Sequence, residues 1–565
     1  MPAVMHVTQH AQPGPRERLV PYYLLAVMVI ACGGIPKGYD EGGYSSSVSL
    51  ESFKEDFNLV KSHWKGNATG LANRTANITS FGVLGAASGC VIALLLDSFH
   101  WGRLASWRAY AAVWASGLFI QIFSSGIYGL LLFGRIWGGL GAGALTVVTP
   151  IYLSEVTPAR SRGWIVSLYM VFLLSFLSLG SSPTRGPSEL SLANTSITGF
   201  FISYAASKSM PATREQYRLV QSIPLIPMGV AFICSFWLYE TPRWLVTRNR
   251  TPEAREVLAR LTGLSIDDPA LVANFDSLHQ QILANEIDRQ ERSTKDLFRE
   301  ILSRRYRGRF LLALAMQAFG QWSGGNGITY YIPTIFQYAG ITGDSVALVA
   351  SGAYGIVKLL ASTLTAFFLV DRMGRRPLFI AGLALQTVTH VYMAVYMGEQ
   401  PGSGQNHAAS NAAIASVFIY AFGWSIGLCI LQSIYATEIF PTRLRGICYA
   451  ITMALHWFFQ FAVVRVTPNM LVSLHVWGAY VFWAAVCGTG LVVLGLWAPE
   501  TKRVPLESMD ELFQGPWYKT WKAKATREAA DGSLEIENVH EITEKVKQGA
   551  QMQHVEGSDV DLEKR

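Results

Sequence analysis

Read end to end, the chain alternates between long apolar runs and short polar gaps. Twelve runs of roughly 20 residues stand out, at 20–44, 77–96, 105–123, 128–150, 161–182, 219–239, 310–336, 345–370, 376–398, 412–437, 446–471 and 476–497. About 20 helical residues cross the hydrocarbon core of a bilayer, so each run predicts a transmembrane helix, numbered here as spans 1 to 12. The first run is too long for a signal-peptide core and no small-residue cleavage pattern follows it, so no removable leader is expected. Residues 1–19 are polar and predict an N-terminal cytoplasmic tail. The polar interval 240–309 divides the spans six and six and contains helical stretches such as TPEAREVLARLTGL. The expected architecture is an all-α membrane protein with six-helix domains at 20–239 and 310–497, linker helices at 240–309 and a cytoplasmic, largely disordered tail at 498–565.

Composition agrees: 50% of the 565 residues are hydrophobic and 15% are charged, against about a quarter charged in soluble domains. The net charge of +7 does not point to nucleic acid, because the basic residues are sorted by loop. Arg103, Arg160, Arg162, the stretch Arg243 to Arg309, Arg372, Arg375, Arg376, Arg443 and Arg445 all follow even-numbered spans, whereas the loops after spans 7, 9 and 11 carry almost no Lys or Arg. Positive loops stay cytoplasmic, which places both termini inside, with the plasma membrane as the expected location. The sequons at Asn67, Asn73, Asn77 and Asn194 fall in or beside the loops expected outside and are the glycosylation candidates. All six cysteines lie in apolar runs without a CxxC, so they read as buried small side chains, with no metal and no cofactor implied.

The two halves repeat each other. IYLSEVTPARSRG (151–163) and IYATEIFPTRLRG (434–446) follow the fourth span of each half; DSFHWGR (97–103) and DRMGRR (371–376) follow the second; YETPRW (239–244) and APETKR (498–503) follow the sixth. A duplicated six-helix unit with matching loops describes a transporter whose substrate binds between the halves near mid-membrane. Glu155, Arg162, Glu240, Arg243, Asp371, Arg375, Glu438, Arg445 and Glu500 are expected to form gating salt bridges at the inner helix ends, stabilising one of two states.

These motifs, together with GRIWGGLGAG, GQWSGGNGITYY and PETK, resemble the sugar porter family of the major facilitator superfamily over roughly residues 22–513. The resemblance implies a twelve-helix bundle that carries monosaccharides or similar polyols, by uniport or with a proton. The stretch 340–376 and RVTPNM (465–470) look most like fungal quinate permeases and related sugar-acid carriers. Several positions depart from the family pattern: Gly320 where a first glutamine is usual, Met170 at a sugar-ligand glutamine, Lys37 at a sugar-contacting aromatic, and His456-Trp-Phe-Phe-Gln460 for NWxxN.

Ionisable residues inside spans are functional-site hypotheses by default. Asp40 and Arg135 resemble the acid–base pair of proton-coupled members, and a changing distance between them would make proton affinity depend on conformation. Glu41 reads as a solvated helix-end charge. Lys37, Lys358 and Arg465 suit an anionic substrate, with pairing of Lys37 to Asp40 or Glu41 as the alternative. Gln321, Asn326, Tyr330, Tyr331, Gln432 and Gln460 are the expected hydroxyl-binding residues. The sequence thus predicts proton-coupled uptake of a sugar or sugar acid by a monomer in a lipid bilayer. Its alternatives are a neutral monosaccharide carrier and a nutrient sensor built on the same fold. No nucleophile constellation, metal-ligand spacing or nucleotide loop supports an enzyme.

Overall fold

A computed structural model describes residues 20–64, 67–93, 101–157, 199–290, 294–341, 344–399 and 407–502, with short pieces between 504 and 535. Among these, nine helices are long and apolar enough to cross a membrane. Arg103–Ile122 and the interrupted stretch from Arg307 to Tyr338 are helical at two further expected spans. The run at 161–182, and with it Met170, lies outside the described residues.

Spans 1 and 2 extend past their expected bounds. Span 2 begins at Ala68, nine residues early, where the Asn67 side chain caps the helix by accepting from Gly70 N at 2.8 Å. Its polar first turns face neighbouring helices instead of lipid: Arg74 donates to Phe57 O and lies over the Tyr128 ring. Span 1 continues to Ser49 and widens into one π turn at Asp40–Tyr44. Such turns inside helices frequently mark functional sites. Span 7 breaks at Gly324, whose φ of +94° ends the Arg307–Trp322 helix before Gly325–Tyr330 and Ile332–Tyr338 resume.

Small residues set how closely the helices approach. An added Cβ at Gly139 or Gly143 of span 4 would strike the span 2 backbone at Gly82 or Ala86, and one at Gly85 or Gly89 of span 2 would strike the span 4 backbone in return. The glycine-rich stretch of span 4 is therefore a packing surface. The second half uses the same device, with Gly382 of span 9 against Gly423 and Gly427 of span 10. The halves meet chiefly where Ala68–Ile92 runs along the span 11 helix, Thr442–Ser473.

The interval between spans 6 and 7 carries the helices Pro242–Thr247, Thr251–Thr262, Pro269–Gln290 and Thr294–Ile301. The beginning of the tail is ordered, which departs from the expectation. Met509 and Leu512 are buried, and the Thr520 hydroxyl donates to the carbonyl of Trp497 at the end of span 12.

Overpacking a filled interface costs about 1–3 kcal/mol. Gly143→Val should lower the melting temperature of the purified protein by several degrees in a fluorescence melt. Gly229→Val, where an added Cβ meets nothing within 4 Å, should leave it unchanged. Equal melting of the two variants would contradict the packing role.

Candidate functional site

The π turn gives the neighbours Asp40 and Glu41 different surroundings. Asp40 lines a narrow cleft of the first half that also contacts Arg135, whereas Glu41 lines a central cavity between the halves. Arg135 is only 4% exposed and fully engaged. Its guanidinium pairs with Asp40, donates to Ile78 O at 2.9 Å and Thr79 O at 3.1 Å, and stacks on Tyr44. An added Cβ at Gly82 would occupy the place of that guanidinium. On its other oxygen Asp40 accepts the Tyr330 hydroxyl at 2.5 Å. One carboxylate therefore joins span 4 of the first half to span 7 of the second.

Further contacts close the same end of the bundle, opposite the basic loops. The Thr79 and Tyr331 hydroxyls lie 2.6 Å apart, and Tyr331 donates to Val464 O at 3.1 Å. Arg465 and Asn469 of span 11 both donate to the Asn73 side-chain oxygen of span 2, at 3.2 and 2.9 Å. Tyr330, Tyr331 and Arg465, expected at the substrate, are placed here instead, in contacts between the halves. The same geometry bears on the sequons: Asn67 is exposed at a helix cap, whereas Asn73 and Asn77 lie within a helix, the first holding Arg465. Asn194 lies outside the described residues.

The central cavity collects most of the remaining candidates: Lys37, Glu41, Gln321, Asn326, Lys358 and Gln432 line it. Lys358 is fully buried, donates to the Thr329 hydroxyl at 3.1 Å and sits 4.3 Å from the Trp424 ring. Lys37 lies over the Trp457 ring at 4.8 Å. Neither lysine forms an ion pair among the described residues, so Lys37 does not neutralise Asp40. Glu41 is 4% exposed and accepts from Gln460 at 3.4 Å, which overturns its reading as a solvated helix-end charge.

A directed chain of amides runs along one wall. Gln317 Nε2 donates to Gln432 O, so its Oε1 accepts from His456 Nδ1 at 2.8 Å. His456 Nε2 in turn faces Gln321 Nε2 at 3.3 Å, and Gln321 Oε1 accepts from Asn326 Nδ2 at 3.1 Å. This order leaves Asn326 Oδ1 buried without a donor among the described residues, and the Oε1 atoms of Gln432 and Gln460 are likewise buried without one. Buried acceptors are costly when unpaired, so the wall suits a ligand that brings hydroxyl donors. Gln432 occupies the space that a side chain at position 320 would take, which explains the departure at Gly320.

At the basic-loop end each half carries the same latch. Arg103 pairs with Glu155 at 2.9 Å, and Arg375 pairs with Glu438 at 2.9 Å. Glu240 accepts the backbone N–H groups of Arg103 and Leu104, as Glu500 accepts those of Arg375 and Arg376. The Thr241 hydroxyl donates to Glu155 and the Thr501 hydroxyl to Glu438, both at 2.6 Å. Gly102 (φ +89°) and Gly374 (φ +97°) make the turns. Burial pushes the Glu240 carboxyl up, against the pull of the backbone N–H groups it accepts. Glu240 and Glu500 thus cap backbone N–H groups, and among the described residues each latch stays within its own half. Arg243 is exposed and unpaired among the described residues; Arg162 and the side chains of Asp371 and Arg445 lie outside them. Arg103, Thr241 and Thr501 are additions to the expected set, and the shared Glu-Thr of YETPRW and APETKR was their signal.

Comparison with known proteins matches this geometry. The chain is 29% identical to "MFS-type transporter qa-x" of Neurospora crassa, over 84% of this chain and 86% of that protein. It is 28% identical to a "probable quinate permease" of Aspergillus flavus, over 89% and 90%. Among solved structures it resembles the inward-open xylose transporter XylE of E. coli, with a TM-score of 0.67 at 19% identity, covering 87% of this chain and all of that one. It also resembles the proton:xylose symporter XylE bound to 6-bromo-6-deoxy-D-glucose, with a TM-score of 0.66 at 20% identity, over 87% and 99%. The family model described as "Sugar (and other) transporter" matches residues 26–176 and 188–513, and the chain belongs to that family.

Proposed function

We propose that this protein takes up a polyhydroxylated carboxylate, such as a sugar acid, together with a proton, by alternating access across the plasma membrane. The observation that carries the reading is the central cavity, where among the described residues two lysines without an ion pair and one carboxylate stand beside a wall whose free atoms are acceptors. Lys358 and Lys37 supply the charge for a carboxylate, and charge-assisted hydrogen bonds are the strong ones. Asn326, Gln432 and Gln460 supply acceptors for hydroxyls. Relatives named as quinate permeases support the anionic cargo.

The proton half of the cycle rests on Asp40. An adjacent guanidinium favours the charged carboxylate, and a buried carboxylate deprived of its partner favours the protonated form. Here Asp40 holds Arg135 and Tyr330 together, with the end opposite the basic loops closed. The basic loops support reading that closed end as the outside and both termini as cytoplasmic. Protonation of Asp40 weakens its hold on Arg135 and frees the Tyr330 contact, which favours opening outward. Release of the proton restores the closure. The structural similarity to a proton:xylose symporter supports the same coupling.

Uptake into proteoliposomes tests both halves. Losing a hydrogen bond to a charged group costs about 1.5–3 kcal/mol, so Lys358→Met should raise the KM for quinate about 10- to 100-fold. Unchanged quinate uptake would sink the anionic cargo. Asp40→Asn should abolish accumulation driven by an inward proton gradient while exchange of preloaded substrate continues. Gradient-driven accumulation by that variant would exclude Asp40 as the coupling site.

A further inference from the structure

Glu41 has no part in the cycle above, yet it is the one carboxylate lining the central cavity among the described residues. It follows Asp40 directly, on the first helix, and the π turn directs it away from Arg135. From the geometry we propose that Glu41 is a second proton-binding site, which takes up a proton when a carboxylate substrate enters the cavity. The inference rests on the anionic cargo proposed above.

The argument is one of charge. Glu41 shares the cavity with two lysines that form no ion pair among the described residues. Lys37 lines both cavities, next to Asp40 in one and Glu41 in the other. Lys358 faces Glu41 from span 8, within electrostatic reach. A substrate carboxylate drawn to the same lysines stands beside Glu41 in a site shielded from water. A second carboxylate beside Glu41 raises its affinity for a proton, which is taken from solvent by one Glu41 oxygen. No other bond forms or breaks. Asp40, already paired with Arg135 and hydrogen bonded to Tyr330, is shielded from this competition.

The other titratable groups around Glu41 are accounted for element by element. Span 7 presents the Tyr330 hydroxyl, which is committed to Asp40. Span 8 presents the Tyr354 hydroxyl, 3.3 Å from that of Thr329. Span 10 presents Cys429, whose thiol meets the Ser362 hydroxyl at 3.8 Å. Span 11 presents Tyr449, which lines the same cavity, and His456, with both ring nitrogens engaged by Gln317 and Gln321. Gln460, also on span 11, donates to Glu41 and would accept its proton's hydrogen bond through the free Oε1. A carboxylate that arrives with a proton on Glu41 adds no net charge to the cavity, so binding should tighten as the pH falls.

The test is proton uptake on binding, followed with a pH indicator as quinate is added to purified full-length protein in weak buffer at neutral pH. Wild type should take up close to one proton per quinate bound, and its Kd should rise by up to about tenfold per pH unit across the titration. Glu41→Gln should bind quinate with no proton uptake and a flat Kd profile, whereas Asp40→Asn should keep the uptake. Uptake that persists in Glu41→Gln, or that disappears in Asp40→Asn, overturns the proposal, as does wild-type binding without uptake. The Asp40→Asn result decides the matter alone if Glu41→Gln does not fold. Absence of quinate binding to wild type is a different result: it removes the anionic cargo itself.

Discussion

A charge isolated inside a helix bundle is disfavoured, so a partly buried carboxylate there gains from every partner it can hold. In this protein the partners of Asp40 come from opposite halves, Arg135 from span 4 and the Tyr330 hydroxyl from span 7. The pairing is therefore also a fastening between halves. Much nearby structure serves it: Gly82 leaves room for the guanidinium, Ile78 and Thr79 carbonyls absorb its remaining donors, and Tyr44 covers its face. Thr79 then meets Tyr331 directly, and Asn73 meets Arg465, so the closure extends over the whole end of the bundle.

The central cavity is organised by a complementary constraint. Hydrogen-bond direction along Gln317, His456, Gln321 and Asn326 is fixed by where the chain starts, at the Gln432 carbonyl. What is left over is a set of acceptors beside two cations. A ligand with hydroxyls and a carboxylate satisfies both, whereas an apolar ligand satisfies neither and a cationic one is opposed by the lysines. In the proposed cycle the cavity handles recognition and Asp40 handles closure, and the π turn of span 1 lets adjacent residues serve the two.

Much of this was legible in the sequence. Hydrophobic runs predicted the spans because bilayer thickness fixes helix length, and the repeated loop motifs marked both latches because duplication preserves chemistry at matching positions. Where the reading stopped short, the cause was side-chain direction. Tyr330, Tyr331 and Arg465 sit in the right helices, but which face they occupy depends on the break at Gly324 and the approach of spans 2 and 11, neither of which a linear pattern encodes. The burial of Glu41 depends on neighbouring helices, Gln460 of span 11 among them, which a linear pattern does not show. Span 2 was placed late because its polar first turns face protein. The glutamates at 240 and 500 recurred visibly, yet their partners are backbone N–H groups, which no residue pairing rule would name.

The central claim is that protonation of Asp40 loosens the closure opposite the basic loops. The most direct measurement is the distance between spin labels at Thr69 and Ser473, exposed at the closed ends of spans 2 and 11, introduced through an unnatural amino acid to spare the native cysteines. The account predicts that lowering the pH populates a longer distance, and that Asp40→Asn shows the longer distance at every pH. A distance distribution that responds neither to pH nor to that substitution would contradict it.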